Sequence, residues 1–215
     1  MMDPRRRGPS LSSAAEAILL LDLPHPARVA VDGRTASGKT TFADALAAAL
    51  QTSGRGIIRA SIDDFHHPRA VRHRQGRHSP DGYYEDARDL VAVRRYLLEP
   101  LGPGGDRCFA TRTFDLARDR PVQPDLLRAE ERSILIVDGT FLQRPEIVGG
   151  WDFVIFLDVP QDEARQRGLA RDADALGADI AATLYDQRYG PAFARYQAEC
   201  RPSQNADMVI AQRER

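Results

Sequence analysis

Residues 27–40 read ARVAVDGRTASGKT. The first seven, "ARVAVDG", predict a short buried strand running into a glycine loop, and "KTTFADALAAAL", residues 39–50, carries apolar side chains at helical spacing. Between them Gly33 to Thr40 fits G-x-x-x-x-G-K-[ST] in the strand, loop, helix setting that gives this motif its meaning. Gly33 and Gly38 permit a tight turn. The amides from Ala36 and Ser37 through Thr41 then point at phosphate oxygens, aided by the positive end of the helix. Lys39 is placed to reach the β- and γ-phosphates of a nucleotide, and the Thr40 hydroxyl to ligate Mg²⁺.

Composition strengthens this reading. Of 30 basic residues, Lys39 is the only lysine, so a chain that otherwise uses arginine has a compact, flexible ammonium at the one position where a planar guanidinium would not substitute. The length of 215 residues suits one domain, predicted over 11–215 after a disordered tail at 1–10 that holds the Arg5-Arg6-Arg7 run. With 31 acidic residues the net charge is -1, which gives no global attraction to nucleic acid or an anionic membrane. Cys108 and Cys200 have neither zinc nor redox spacing, and no apolar run approaches a membrane span or a leader peptide. A cytoplasmic protein is expected, and a homo-oligomer is compatible with the sequence.

Outward from the loop, strands alternate with helices. "SLSSAAEAILLLD" (10–22) predicts a serine-capped helix, "GIIRASI" (56–62) a second strand, and "YEDARDLVAVRRYLLEPL" (84–101) one amphipathic helix. "RCFATRTFD" (107–115) alternates enough for a strand. "SILIVDG" (133–139) and "WDFVIFLDV" (151–159) are continuous apolar runs of the kind buried on both faces of a parallel sheet. Residues 161–198 look helical with breaks near "LGAD" and "YGP", and "ADMVIA" (206–211) predicts an edge strand. The alternation implies a doubly wound α/β fold with a mostly parallel sheet, whose ligands sit at the carboxyl ends of the strands. Residues 63–84 are long for a loop and predict a binding or lid segment, or short helices.

Absent motifs narrow the class. No lysine remains for a guanine-reading N-K-x-D, and no L-S-G-G-Q-like signature occurs. A small-molecule kinase needs a carboxylate near the end of the second strand and arginines that close over the transferred group. On "VDGRTASGKTTFA", "SIDDF", "GYYEDARD", "IVDGTFL", "ARQRGLARD" and "YGPAFARY" followed by "ADMVI", in that order, the chain resembles the uridine kinase and phosphoribulokinase family from about Ala27 to Ile210. The resemblance implies a P-loop nucleoside triphosphate hydrolase type of sheet with a helical lid at about 161–178. It also implies an ATP- and Mg²⁺-dependent kinase acting on a hydroxyl of a small metabolite, a nucleoside such as uridine first. Sugar phosphates, pantothenate and nicotinamide riboside are alternative acceptors, and a nucleotide-responsive binding protein is the non-catalytic rival.

Residue by residue, the resemblance makes Asp63 the base that takes the acceptor proton, with Phe65 as the accompanying aromatic. It puts Asp138 near Mg²⁺ beside Thr40, and Arg171 and Arg167 in the lid as the clamp on the donor phosphates. A solvated arginine face is the other reading of that helix. His66 stands where the family carries a tyrosine, and Tyr83 where uridine kinases bind the ribose, so His66, Tyr83 and Tyr84 are the candidate acceptor contacts, with packing favoured for one of the tyrosines. Four histidines and Arg69, Arg72, Arg74 and Arg77 crowd the 66–78 segment. That density suits either an anionic acceptor or a basic flap balanced by Asp81, Glu85 and Asp86. Adjacent residues of an extended "DDFHH" would face opposite ways, which argues against a transition-metal cluster there.

Overall fold

The structure is a computed structural model that describes residues 9–211; the predicted tail, as far as residue 8 and including the arginine run, lies outside them. Strands β1 (Ala27–Gly33), β2 (Ile57–Ser61), β7 (Ile134–Gly139), β8 (Phe153–Asp158) and β9 (Met208–Ala211) form one sheet in the order β2-β7-β1-β8-β9. Every pairing in it is parallel. Between β2 and β7 lie four two-residue strands, β3 (Cys108–Phe109), β4 (Phe114–Asp115), β5 (Arg120–Pro121) and β6 (Leu127–Arg128). They make two small antiparallel ladders, β3 with β6 and β4 with β5. The strand predicted over 107–115 is therefore split, because the chain pairs only at its two ends.

The apolar runs are continuous because both faces of the sheet are covered. Val29, Val31, Ile134 and Ile136 pack with Ile18 of helix α1 (Leu11–Leu19) and Phe42, Leu46 and Leu50 of α2 (Lys39–Leu50). Their alternates Ala30, Leu135 and Val137 pack on the opposite face with Ile62, Phe65, Leu97 and Leu98. Ser10 caps α1 in a reciprocal capping box with Ser13, as the serine run predicts.

Residues 63–84 hold short helices: a 3₁₀ turn at Ile62–Phe65, α3 (Arg69–Arg72) and α4 (Pro80–Glu85). The helix predicted over 84–101 is broken. α4 ends at Glu85, and helix resumes only at α5 (Leu90–Val93), continuing as a π turn at Arg94–Leu98. The Asp89 side chain accepts the Ala92 amide and so starts the second piece, while the intervening Arg88 forms an isolated antiparallel bridge with His66. The carboxyl-terminal third runs α6 (Gln161–Leu176), α7 (Ala178–Thr183), a π segment at Leu184–Tyr189, α8 (Gly190–Cys200) and α9 (Pro202–Asn205). The predicted break near "LGAD" falls at Gly177, whose φ of 85° lies in the left-handed region. At "YGP" helix continues without a gap, since Pro191 sits in the first turn of α8, where a missing amide does no harm.

One buried carboxylate ties these pieces together. Asp32, fully buried at the end of β1, accepts from the Gly33 amide at 2.8 Å, Gln143 Nε2 at 3.0 Å and the Tyr196 hydroxyl at 2.5 Å. Burial raises its pKa, and the three donors work the other way. Tyr196→Phe removes one donor from a buried carboxyl group and is expected to lower unfolding free energy by roughly 1–3 kcal/mol. Urea denaturation reads this as a lower midpoint at unchanged slope; an unchanged midpoint would mean the hydroxyl is dispensable.

Candidate active site

Three strand ends deliver the site. β1 ends at Gly33, β2 leads into the turn bearing Asp63, and β7 between them carries Asp138 opposite both Ser61 and Val31. In the loop, Ala36 and Gly38 both have positive φ, 62° and 82°, and Gly38 is the residue from which α2 begins. Such alternation aims successive amides inward and makes an anion cradle. A Cβ on Gly33 would lie 2.9 Å from both the Leu157 carbonyl and Ser37 Oγ, so the loop's first position is restricted to glycine by contact.

Lys39 is buried and donates from Nζ to the Arg34 carbonyl at 2.7 Å. Burial lowers its pKa, opposed by Tyr83, Asp32, Asp63 and Asp138. Thr40 Oγ1 donates to Asp138 Oδ2 at 2.7 Å, while Asp138 Oδ1 accepts Arg59 Nη2 at 2.9 Å. A hydroxyl and a carboxylate at one point beside the phosphate cradle fit Mg²⁺, which takes few protein oxygens and fills its shell with phosphate and water. Arg59, not singled out by sequence, fixes the far side of that carboxylate.

The arginines of α6 separate by face. Arg167 and Arg171, one helical turn apart on α6, line a pocket shared with Ala36, Gly38, Lys39, Thr40 and Thr41. Arg171 pairs with Asp172 and reaches Tyr185 Oη at 3.3 Å, and Arg167 pairs with Glu163. Arg165 instead pairs with Asp186. Gly168, between the two lid arginines, packs against the Tyr185 ring where a Cβ would overlap it.

Asp63 leaves 58% of its side chain accessible, and its Oδ1 accepts Arg88 Nη2 at 3.0 Å. The surrounding protein pushes its pKa up, but the charges of Arg88, His66 and Lys39 outweigh this and the net shift is downward. It is therefore ionised at neutral pH, a hydrogen-bond acceptor ready for a hydroxyl. Asp64 pairs loosely with Arg112 at 3.6 Å. The two aspartates sit on a 3₁₀ turn, not the extended segment that the sequence pattern predicts, because the Ser61 side chain accepts the Asp63 amide and starts the turn. Phe65 is fully buried in the core. Among the described residues no three His, Cys, Asp or Glu side chains gather as a metal site.

The candidate acceptor contacts divide. Tyr83 Oη lies 3.2 Å from Arg88 Nη2 and 3.3 Å from Thr35 Oγ1, beside Asp63. Tyr84 is removed from this group: it packs edge-on against Phe141, and its hydroxyl donates to Glu199 at 3.0 Å. Consecutive helical residues point about 100° apart, so only one of the pair can face Asp63. Two arginines of the basic segment pair with carboxylates outside it. Arg74 binds Asp86, and Arg72 binds Asp119 at 2.7 Å, whereas Asp81 and Glu85 pair with Arg195. Sequence reasoning passed over Arg88 and Arg188; "DARD" and "YDQRYG" read as ordinary polar helix faces, and only burial distinguishes them.

His66 is buried, with Nδ1 2.8 Å from the Asp63 carbonyl. A carbonyl only accepts, so Nδ1 carries the proton. Burial, then the Arg88 charge, lowers the His66 pKa from 6.5 to about 4, against a smaller upward pull from Asp63.

No family model matches the chain. Uridine-cytidine kinase B of Dictyostelium discoideum is 26% identical over 189 residues, which are 86% of this chain and 74% of that protein. Among solved structures, a candidate fructose transport system kinase from Silicibacter sp. TM1040 superposes with a TM-score of 0.76 at 25% identity, covering 94% of this chain and all of the other (100%). A candidate uridine kinase from Bacillus stearothermophilus gives 0.72 at 23% identity, covering 93% and 96%. Phosphoribulokinase from Rhodobacter spheroides gives 0.60 at 16%, covering 87% and 70%.

The neutral His66 carries a testable consequence. Between pH 6.5 and about 4 the unfolded chain binds a proton that the folded chain excludes, so stability is complete above 6.5 and falls as pH drops through this window. The loss attributable to His66 is at most about 3 kcal/mol. Urea midpoints measured from pH 7 to 4.5 are expected to fall less steeply in His66→Gln than in the parent chain; parallel profiles would show that His66 takes up its proton while folded.

Proposed function

We propose, for a chain of the uridine kinase and phosphoribulokinase family of phosphate-loop kinases, ATP-dependent transfer of the γ-phosphoryl group to a hydroxyl of a small metabolite. The observation that carries this reading is the single pocket in which the loop residues Ala36, Gly38, Lys39, Thr40 and Thr41 meet Arg167 and Arg171 of α6. Backbone amides and Lys39 hold the donor phosphates, and the two arginines stabilise charge spreading over the equatorial oxygens as the group moves. Thr40 and Asp138 would hold Mg²⁺, which neutralises the β- and γ-phosphate oxygens when bound.

Asp63 supplies the acceptor side. It receives the hydroxyl proton and orients the oxygen; the new O–P bond forms as the bond between the γ-phosphorus and the β–γ bridging oxygen breaks, and ADP leaves with that electron pair. The low pKa means that positioning outweighs basicity in its contribution. α6, as the lid over about 161–178, closes the donor half and excludes water.

A nucleoside such as uridine is the acceptor that the name of the Dictyostelium relative suggests. A sugar phosphate, pantothenate or nicotinamide riboside would use the same base and donor half. No described helix is long and apolar enough to cross a membrane, in keeping with a small-molecule substrate met in the cytoplasm.

Asp63→Asn keeps size and shape but loses the charge. Acceptor-stimulated ADP release is expected to fall about 10²-fold or more, while the affinity for a non-hydrolysable ATP analogue stays close to the parent value. Unchanged turnover would remove the base assignment. ATP binding without stimulation by any hydroxyl compound would favour a nucleotide-responsive binding protein.

A further inference from the structure

Lys39, Arg167 and Arg171 gather at the phosphate loop, and a second group of cations includes Arg88, which binds Asp63. Arg88 is 8% exposed and Arg188 9%. Arg88 uses Nη2 on Asp63 and on the Tyr83 hydroxyl, leaving its buried Nε and Nη1 without a partner. Arg188 has its buried Nε unpartnered and forms no ion pair among the described residues. Both guanidiniums contact one ring. Arg88 Cζ lies 4.6 Å and Arg188 Cζ 4.9 Å from the Tyr83 centroid, so they can be no further apart than the sum of those distances. Arg72, though paired with Asp119, has a buried Nε that is likewise free, and its charge acts on both Arg188 and His66.

Two neighbouring buried guanidiniums repel each other, and unmet N–H groups in the protein interior are expensive. Contact with Tyr83 and Tyr189 offsets part of that. The one carboxylate within hydrogen-bond reach, Asp63, is shared with the chemistry. A tetrahedral or planar anion would satisfy the free N–H groups in the bidentate manner that guanidinium favours.

We propose that Arg88 and Arg188, with Arg72 beside them, form a subsite for an anionic group, a phosphate or a carboxylate, carried by the small molecule that receives the phosphoryl group. The assignment rests on the phosphotransfer reading above and narrows its acceptor from a neutral nucleoside to an anionic hydroxy compound. The anion is fixed on the arginines, the hydroxyl faces Asp63, and the transfer step is otherwise unchanged. A neutral acceptor leaves the cationic pair unmet, so discrimination comes from the penalty on the wrong substrate as much as from contacts to the right one.

Matched acceptors test this with the full chain: ribose against ribose 5-phosphate, glycerol against glycerate, and uridine. Each is followed by ADP release and by calorimetric binding in the presence of ADP. At least one anionic member is expected to bind or turn over about tenfold or more better than its neutral counterpart, and the pair that responds separates a phosphate from a carboxylate. Arg188→Gln should raise its KM or Kd roughly tenfold or more while leaving the KM for ATP near the parent value, and Arg188→Lys should recover part of the loss. Equal use of neutral and anionic partners, no binding of any anionic member, or an Arg188→Gln effect confined to ATP would overturn the subsite. The wild-type comparison decides even if Arg188→Gln fails to fold. Uridine-stimulated ADP release with no preference for anions would sink the subsite and leave the kinase reading standing. Anion binding that depends on Arg188, without ADP release from any acceptor, would do the reverse.

Discussion

A carboxylate cannot be buried without donors, and much of this molecule is arranged around meeting that condition for Asp32. Its three donors come from the first residue of the phosphate loop, from the segment after β7 and from α8. Gln143 extends the network by donating also to the Pro202 carbonyl, and the Tyr196 hydroxyl accepts the Gln143 amide at 2.9 Å. The loop therefore does not hang from the end of a strand. It is anchored to the carboxyl-terminal helices through a few short bonds.

The fold was legible because its signals were local and agreed with one another. The runs at 27–33, 133–139 and 151–159 are apolar without alternation, and a parallel sheet covered on both faces demands that. The serine cap of α1 and the glycine break at 177 were equally plain. What failed was periodicity without context. The 84–101 stretch has a helical pattern, yet Asp89 restarts the helix and Arg88 is drawn into a bridge with His66, a partner 22 positions away. The aspartates at 63 and 64 read as an extended segment because the apolar run of β2 leads straight into them, and a single serine side chain turns the backbone instead.

The phosphate-loop side of the candidate site was legible in the sequence and the surroundings of Asp63 less so, for one physical reason. A phosphate cradle is built from backbone amides, and the glycines that permit it leave a spacing in the sequence. The proposed acceptor side depends on side chains brought together by tertiary packing: Arg88 follows α4, Arg188 lies in the π segment before α8, and both contact the Tyr83 ring. No spacing relates these residues along the chain. The dense run of histidines and arginines at 66–78 attracted notice, but much of that charge is neutralised by Asp86 and Asp119. Arg88 and Arg188, outside that run, hold buried N–H groups without a partner.

Lys39 has a consequence that belongs to chemistry at the bench. It bears the only side-chain amine in the chain, its Nζ is held against the Arg34 carbonyl, and it sits at the floor of the donor pocket. Elsewhere the cationic surface is guanidinium, which common acylating reagents leave alone. Reductive methylation or isotopic tagging of lysine would thus place one spectroscopic reporter in the nucleotide cradle, with no background from other lysines and no need to engineer the protein first.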